Sequence, residues 1–548
     1  MLSATTAMLV LLAVVLSGFT GRLVRGIPLP LVQIAFGAAL TWALGHSAPL
    51  EPEFFLFFFI PPLLFADARR YPKREFIRLW RPITTLALGL VVFTVVGAGF
   101  FIDWLVPSIP LPVAFALAAV LSPTDPVAVS AITASTPVPR TMMHLLEGEA
   151  LLNDATGLVC FRFAVAAMMT GTFSVLQATV SFVVVAVGGV LVGAALPWVV
   201  GALQRVLVDK GGEDPGTQIL VTLLQPFAAY LLAEHMHLSG ILSAVAAGLM
   251  LPYVELQRTG SAETRLSGNA VWRMVQFALD GAIFVLLGEQ IPGIIAGHRE
   301  VATEARVHSA WSLVLYVAAI SAALIALRFV WIVVSARIAG LRAQRRGEPI
   351  DRPPLRLVAA MAVAGVRGAI TLAGVLTLPL TLPDGAAFPG RAVAVFIACG
   401  VIVASLLTAS LLLPFLLADF DVAATSGKRD DDRTRSLLAD VAVRRIEAVQ
   451  HDHTLSIDAE LYLEAAARIV GVYRRLQHAH SLEVDADEQE HARKLVHAER
   501  ELRLVALRAE REELLRLRRL REVSDESTTR FMRELDLLET QLTHVDAH

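Results

Sequence analysis

Leu121-Ser-Pro-Thr-Asp-Pro-Val127 lies in the middle of an apolar run, residues 111–135. Pro123 and Pro126 bracket a Thr-Asp pair. A proline lacks a backbone donor and clashes with the preceding helical turn, so a helix breaks where two of them fall this close. The run is long enough to cross a bilayer. Broken backbone at membrane depth survives only inside protein or against a watery cavity. Half-helix ends and freed carbonyls at such a break are what secondary transporters use to hold ions. Asp125 is placed to neutralise a positive half-helix end.

The rest of the chain supplies the membrane. Of its 548 residues, 55% are hydrophobic and 18% are charged, against about a quarter charged in a soluble domain. Pro, Gly and charge divide the apolar stretches into thirteen expected spans: 3–19, 28–46, 52–68, 83–106, 111–135, 141–169, 174–203, 217–235, 238–254, 271–291, 310–336, 355–380 and 391–418. The apolar core from Met8 to Leu16 has no basic residue before it, and Arg22 and Arg25 follow it. It reads as a retained first helix rather than a signal peptide.

The loops after odd-numbered spans hold nearly all the Lys and Arg, from Arg69 and Arg70 to Arg345 and Arg346. Those after even spans hold only Arg299, Arg306 and Arg391. The positive-inside rule then puts the N-terminus outside and the C-terminus in the cytoplasm. Residues 1–420 are expected to form the membrane domain. Residues 421–548, rich in Arg, Glu, Asp and His, are expected to form a cytoplasmic helical tail with a regulatory or dimer-contacting role. Its clearest helix is expected from Glu488 to Val523. The fold class is therefore all-α: a polytopic membrane protein of about thirteen transmembrane helices with a helical tail. Cys160 and Cys399 sit in apolar stretches and read as small buried hydrophobes.

A charged side chain at mid-bilayer costs at least ~3 kcal/mol on insertion scales, so each one calls for a reason. The intramembrane set is Asp67, Asp125, Glu147, Glu149, Asp154, Arg162, Asp280, Glu289, Arg328 and Arg367. In Glu147-Gly-Glu-Ala-Leu-Leu-Asn-Asp-Ala-Thr-Gly157, Glu149 and Asn153 share a helix face, and Asp154 lies about 140° round from Glu149. A carboxylate beside broken backbone binds a hard monovalent cation or a proton, but not both at once. That competition is enough for an exchanger, given two alternating accesses. The twelfth span carries Gly365-Val-Arg-Gly-Ala-Ile-Thr371. Arg367 is deep and stays charged, so it needs a carboxylate, and Glu149 is the expected partner. The fifth and twelfth spans differ by seven, so they run in opposite directions, which marks an inverted-repeat transporter. Spans 1–6 and 8–13 are the expected repeats. No His-Glu-x-x-His or Gly-x-Ser-x-Gly motif suggests an enzyme.

With these residues in place, the chain resembles the monovalent cation:proton antiporter-1 family, the bacterial and eukaryotic sodium/proton exchangers. The pieces that carry the resemblance run in family order: Pro61-Pro-Leu-Leu-Phe65, Ser122-Pro-Thr-Asp-Pro-Val-Ala128, Glu147 to Gly157, Leu238-Ser-Gly-Ile-Leu-Ser243 with Ala247-Gly-Leu249, Phe284-Val-Leu-Leu-Gly288, and Gly365-Val-Arg-Gly368. They look like the bacterial branch with a long cytoplasmic tail. The resemblance implies a homodimer in the bacterial inner membrane, with a dimerisation domain and a moving six-helix core. Its expected cargo is Na⁺ or Li⁺ against H⁺, with no cofactor and no nucleic acid. K⁺/H⁺ exchange is the alternative, and a cation channel or a cation sensor is a more distant one.

The resemblance also implies that Asp154 is the main ion and proton carboxylate, with Thr124 helping to hold the cation. Asn153 stands beside it and Asp125 balances helix dipoles. An Asn-Asp pair goes with electroneutral one-for-one exchange in this family. Two positions depart from the family pattern. Ala150 stands where many relatives have Ser. The third-span acid is Asp67, one residue later than usual, where the helix has turned about 100° further; it is a candidate ion- or proton-binding residue, with a cytoplasmic-end cap as the alternative.

Overall fold

The computed structural model describes residues 4–418 apart from 25–26, 46–51, 134–137, 172–174, 212–213, 257–261, 306, 308–309 and 347–352. Of the tail it describes 440–444, 446–448, 466–475, 486–520, 531–532, 534–539 and 542. The chain divides into two compact units, Met1–Asp421 and Val422–His548. Among the described residues of the first unit, the regular structure is helical apart from one isolated bridge, Thr381 to Ala387.

The first half contains α1 (Ala4–Leu23), α2 (Leu29–Leu44), α3 (Pro52–Phe58), α4 (Ile60–Arg70), α5 (Lys73–Thr84), α6 (Val91–Leu105), α7 (Leu111–Leu121), α8 (Pro126–Thr133) and α9 (Arg140–Thr170). α10 (Val175–Gly211) follows. The second half contains α11 (Pro215–His235), α12 (Gly240–Leu256), α13 (Ala262–Ala296), α14 (His298–Glu304), α15 (Ala310–Arg346), α16 (Leu355–Val363), α17 (Ala369–Leu376) and α18 (Arg391–Leu417). Among the described residues, eight helices or continuous helical runs are long and apolar enough to cross a membrane, and α2, α7 and α12 are shorter apolar helices. Each of the thirteen expected spans falls on one helix, one run or one broken pair.

Three details go beyond the expected spans. The third is broken at Phe59, just before Pro61 and Pro62, which occupy the first turn of α4, where a missing N–H does no harm. The fourth begins ten residues early, because α5 runs through a π-helical stretch, Thr85–Leu90, into α6; Pro82 inside α5 removes one regular hydrogen bond near this bulge. α15 continues for 37 residues, about 55 Å at 1.5 Å per residue. With no Pro in it, the helix carries Arg337, Arg342, Arg345 and Arg346 well past its apolar part.

The packing repeats between the halves. α1 on α2 corresponds to α11 on α12, and α4 on α12 to α13 on α2. Likewise α6 on α7 corresponds to α15 on α16, and α7 on α9 to α16 on α18. Each correspondence exchanges a span for the one seven places along, as an inverted repeat requires. Two bundles result: α1 to α4 with α10 to α13, and α5 to α9 with α15 to α18. Contacts between them are sparser than within them.

Lipid is as apolar as Leu, so helices in a membrane associate through close fit rather than hydrophobic burial. The α2–α13 contact shows this. A Cβ on Gly37 meets the Val285 carbonyl oxygen at 1.9 Å, and one on Gly288 meets that of Ile34 at 2.1 Å. Only hydrogen at both positions allows the backbones this near. In the second unit, α19 (Ala486–Arg519) is an amphipathic helix of 34 residues. Its Arg511 pairs with Asp536 at 2.6 Å and with Glu539 at 2.5 Å.

Candidate functional site

The two interrupted helices meet at their breaks. α7 stops at Leu121 and α8 starts at Pro126, while α16 stops at Val363 and α17 starts at Ala369. The Asp125 N–H donates to the Val366 carbonyl at 2.8 Å, so the broken strands of backbone cross. Four half-helix ends converge there, two positive and two negative.

Asp125 serves the positive ends. It immediately precedes α8, and its carboxylate lies against Gly368, the residue before α17. A Cβ on Gly368 meets Asp125 Oδ2 at 2.0 Å, so glycine is required. Arg367 serves the negative ends. Its Nε donates to the Leu121 carbonyl, the last of α7, at 2.5 Å, and Nη1 donates to the Gly365 carbonyl just beyond α16. Its backbone N–H donates to Ser405 Oγ of α18 at 3.0 Å. Opposite charges at opposite helix ends each stabilise their dipole, and more so when partly buried.

Glu149 is not the partner of Arg367. Its two oxygens take Nη1 and Nη2 of Arg328 at 2.5 and 2.7 Å, in a fork that matches the carboxylate. Nε of Arg328 donates to the Met361 carbonyl at 2.9 Å, which ties the pair to the last turns of α16. Both side chains are almost wholly buried. The expected Arg367–Glu149 pair is therefore corrected to Arg328–Glu149. Arg367 reaches carbonyls instead, because the broken backbone around it brings the Leu121 and Gly365 acceptors within hydrogen-bond range.

From Glu149 a chain of hydrogen bonds leads inward. Thr124 Oγ1 donates to Glu149 Oε1 at 3.3 Å, and Asn153 Nδ2 donates to Thr124 Oγ1 at 3.0 Å. The hydroxyl of Thr124 thus joins the break to α9. Asn153 is fully buried and its Oδ1 has no hydrogen-bond partner. Asp154, the next residue, is 6% exposed. Among the described residues no donor bonds to its carboxylate. Ala150, one turn before it, is buried and brings no oxygen.

Gln276 Nε2 of α13 donates to Asp67 Oδ1 at 2.8 Å. Asp125 and Asp67 act electrostatically on Asp154, and Asp67, Asp125 and Arg70 act on Asp280. Among the described residues no three acidic, His or Cys side chains converge tightly enough to cage a metal ion. The carboxylates are spread out as separate groups. A cavity of about 520 Å³ is lined by Ala66, Arg69, Arg70, Glu255, Trp272 and Arg273 among others. The sequence alone gives Arg328, Gln276 and Asp280 no role. The depth of Arg328 and Asp280 in their spans was the available signal, and Gln276 carried none.

Comparison with known proteins points one way. A family model described as "Sodium/hydrogen exchanger, transmembrane" matches residues 7–419. An Escherichia coli protein named as an uncharacterised Na⁺/H⁺ exchanger, YjcE, is 44% identical over 98% of each chain. A Bacillus pumilus protein named as a sodium, potassium, lithium and rubidium/H⁺ antiporter is 42% identical over 75% of this chain and 61% of its own. Among solved structures, the sodium proton antiporter MjNhaP1 of Methanocaldococcus jannaschii superposes with a TM-score of 0.53 at 16% identity, covering 76% of this chain and 98% of that one. That similarity concerns the fold.

Proposed function

This chain belongs to the sodium/hydrogen exchanger family, membrane transporters of a monovalent cation and a proton, and from that premise we propose that it exchanges Na⁺ or Li⁺ for H⁺ one for one, by alternating access, with Asp154 as the exchanging carboxylate. The observation that carries the reading is the setting of Asp154. It is buried at mid-helix beside the crossing of two broken helices, with no donor of its own. A carboxylate so placed is driven to take either a proton or a cation. Thr124 and Asn153 are the neutral oxygens nearest in the network, and Asn153 Oδ1 is free to face a cation. Asn153 does not titrate, so one charge leaves as one arrives. Asp125, Arg367 and the Glu149–Arg328 pair hold the helix ends in place, and Asp67 stands on the approach.

Under this reading the protein is a homodimer of the bacterial inner membrane that serves sodium and pH homeostasis. Its N-terminus is outside and its C-terminus is cytoplasmic, following the distribution of Arg and Lys. K⁺/H⁺ exchange is kept as a second reading, because the Bacillus relative is named for potassium as well as sodium.

The test is transport in everted vesicles from antiporter-deficient bacteria. Their lumen is acidified by respiration and followed with a pH-sensitive dye, and Na⁺, Li⁺ and K⁺ are added in turn. Wild type is expected to alkalinise the lumen on addition of Na⁺ or Li⁺, and Asp154→Asn is expected to do nothing. A folded wild type that moves no protons with any of the three overturns the exchange reading. A fully active Asp154→Asn overturns the site.

A further inference from the structure

Four helix ends surround the cavity of about 520 Å³. Arg69 and Arg70 close α4, Glu255 lies in the last turn of α12, Gln218 lies in the first turn of α11, and Trp272 and Arg273 lie in the early turns of α13. The ends of α4 and α12 and the starts of α11 and α13 fall on one membrane face, the face of the loops rich in Arg and Lys. The cavity therefore sits at the level of lipid headgroups rather than at mid-bilayer. Two helix starts and two helix ends meet there, so their dipoles offset one another. The side chains set the sign of the cavity.

That sign is positive. The charged side chains on the wall are Arg69, Arg70, Arg273 and Glu255. Arg69 and Glu255 pair with each other at 3.3 Å, which ties α4 to α12. Arg70 and Arg273 are both exposed. Among the described residues, neither forms an ion pair or a side-chain hydrogen bond. Arg70 acts electrostatically on Asp67 and Asp280, so part of its field is balanced from deeper in the bundle, but its guanidinium donors stay unused. Neither acid lines the cavity. Trp272 on the wall is 3% exposed, and its indole N–H has no hydrogen-bond partner. An indole can only donate. The unused groups at this cavity are thus two guanidiniums and a neutral donor, which suit a ligand that is itself an anion.

We infer that this cavity binds an anion of the phosphate class, either the headgroup of an acidic phospholipid or a free phosphate, with Arg70 and Arg273 supplying the charge. A guanidinium fork matches phosphate oxygens. Basic pockets between transmembrane helices at a membrane face take lipid headgroups. A volume of about 520 Å³ falls in the range of small-molecule sites. Arg70 belongs to α4 and Arg273 to α13, so the anion bridges two helices of one bundle beside the Arg69–Glu255 pair and stabilises their packing. The site is independent of which cation the protein exchanges.

The test is the thermal midpoint of the purified full-length protein in micelles of a neutral maltoside detergent. Phosphatidylglycerol, phosphatidylcholine and inorganic phosphate are titrated separately at equal ionic strength, with chloride as the blank. Phosphatidylglycerol or inorganic phosphate should raise the wild-type midpoint by several degrees and saturate. Phosphatidylcholine, whose phosphate is balanced by its own ammonium, should do much less. In Arg70→Gln/Arg273→Gln the concentration giving half the rise should increase about thirtyfold, at about fivefold per basic residue near a membrane surface. Arg70→Lys/Arg273→Lys should lose less, since charge remains. The control Arg342→Gln/Arg345→Gln removes the same charge from the end of α15, outside the cavity, and should leave the half-rise concentration as in wild type. A rise with phosphatidylglycerol alone assigns the site to lipid, and a rise with inorganic phosphate assigns it to a soluble anion. No saturable rise with either overturns the inference. So does a rise that Arg70→Gln/Arg273→Gln leaves intact, or one that the α15 control weakens equally. If the paired variant does not fold, Arg273→Gln alone decides, with an increase of about fivefold expected.

Discussion

Replacing Arg328 by Met should destabilise the protein by about 3–5 kcal/mol, the range for removing one partner of a buried pair. The side chains of Arg328 and Glu149 are 3% and 1% exposed, and they meet through two hydrogen bonds. At an effective dielectric of about 20, charges about 4 Å apart attract by about 4 kcal/mol. The variant loses that attraction and leaves Glu149 buried without its partner, with the Thr124 hydroxyl still bonded to it. Glu149→Leu alone should cost a similar amount, because it strands Arg328. The double variant Arg328→Met/Glu149→Leu should cost far less than the sum, since both charges are gone.

The expected coupling is then at least about 2 kcal/mol, in the range seen for residues in direct contact. The assay is equilibrium unfolding of the purified protein by SDS in mixed micelles, run as a double-mutant cycle. The same cycle with Arg367→Met in place of Arg328→Met should give less than about 1 kcal/mol, because Arg367 bonds to carbonyls. A larger coupling for Arg367 than for Arg328, or a Glu149–Arg328 coupling under about 0.5 kcal/mol, refutes the pairing and the reasoning built on it.

Two further predictions concern motion and fit. Gly368→Ala forces a methyl group into Asp125 and should destabilise by about 3 kcal/mol or more, at the upper end for overpacking; the same unfolding assay checks this, and a wild-type midpoint refutes it. Arg162 of α9 meets Glu234 of α11 at 3.5 Å with both side chains partly exposed, so Arg162→Gln should change stability by under about 1 kcal/mol. Because the pair joins the two bundles, the exchange rate should nonetheless change more than twofold, and the swap Arg162→Glu/Glu234→Arg should bring it back.

Much of this architecture was legible because membranes restrict what a chain can do. Apolar length and punctuation located the spans, and Pro123, Pro126, Gly365 and Gly368 located the breaks. The offset of seven between the breaks anticipated the repeated packing. What escaped was reach. Arg328 and Arg367 are both deep, both charged and both on later spans, and nothing in the sequence orders their distances to Glu149. A buried arginine is expected to seek a carboxylate first, but a broken helix brings its own acceptors. The break in the third span was equally hidden, since Pro61 and Pro62 are as compatible with the start of a helix as with a kink.

The crossing of the two breaks also bears on how the protein is made. Arg367 and the Leu121 carbonyl are 246 residues apart in the chain. At about 5–20 residues per second, a ribosome takes roughly 12–50 s to cover that distance. For all that time the first broken helix has left the ribosome, while the arginine for its negative end and the Val366 acceptor for Asp125 do not yet exist. Insertion of the first half thus precedes the electrostatic closure of its own centre. Biogenesis has a window in which a half-built transporter holds an open polar break in the membrane, and the twelfth span, on arrival, ends it.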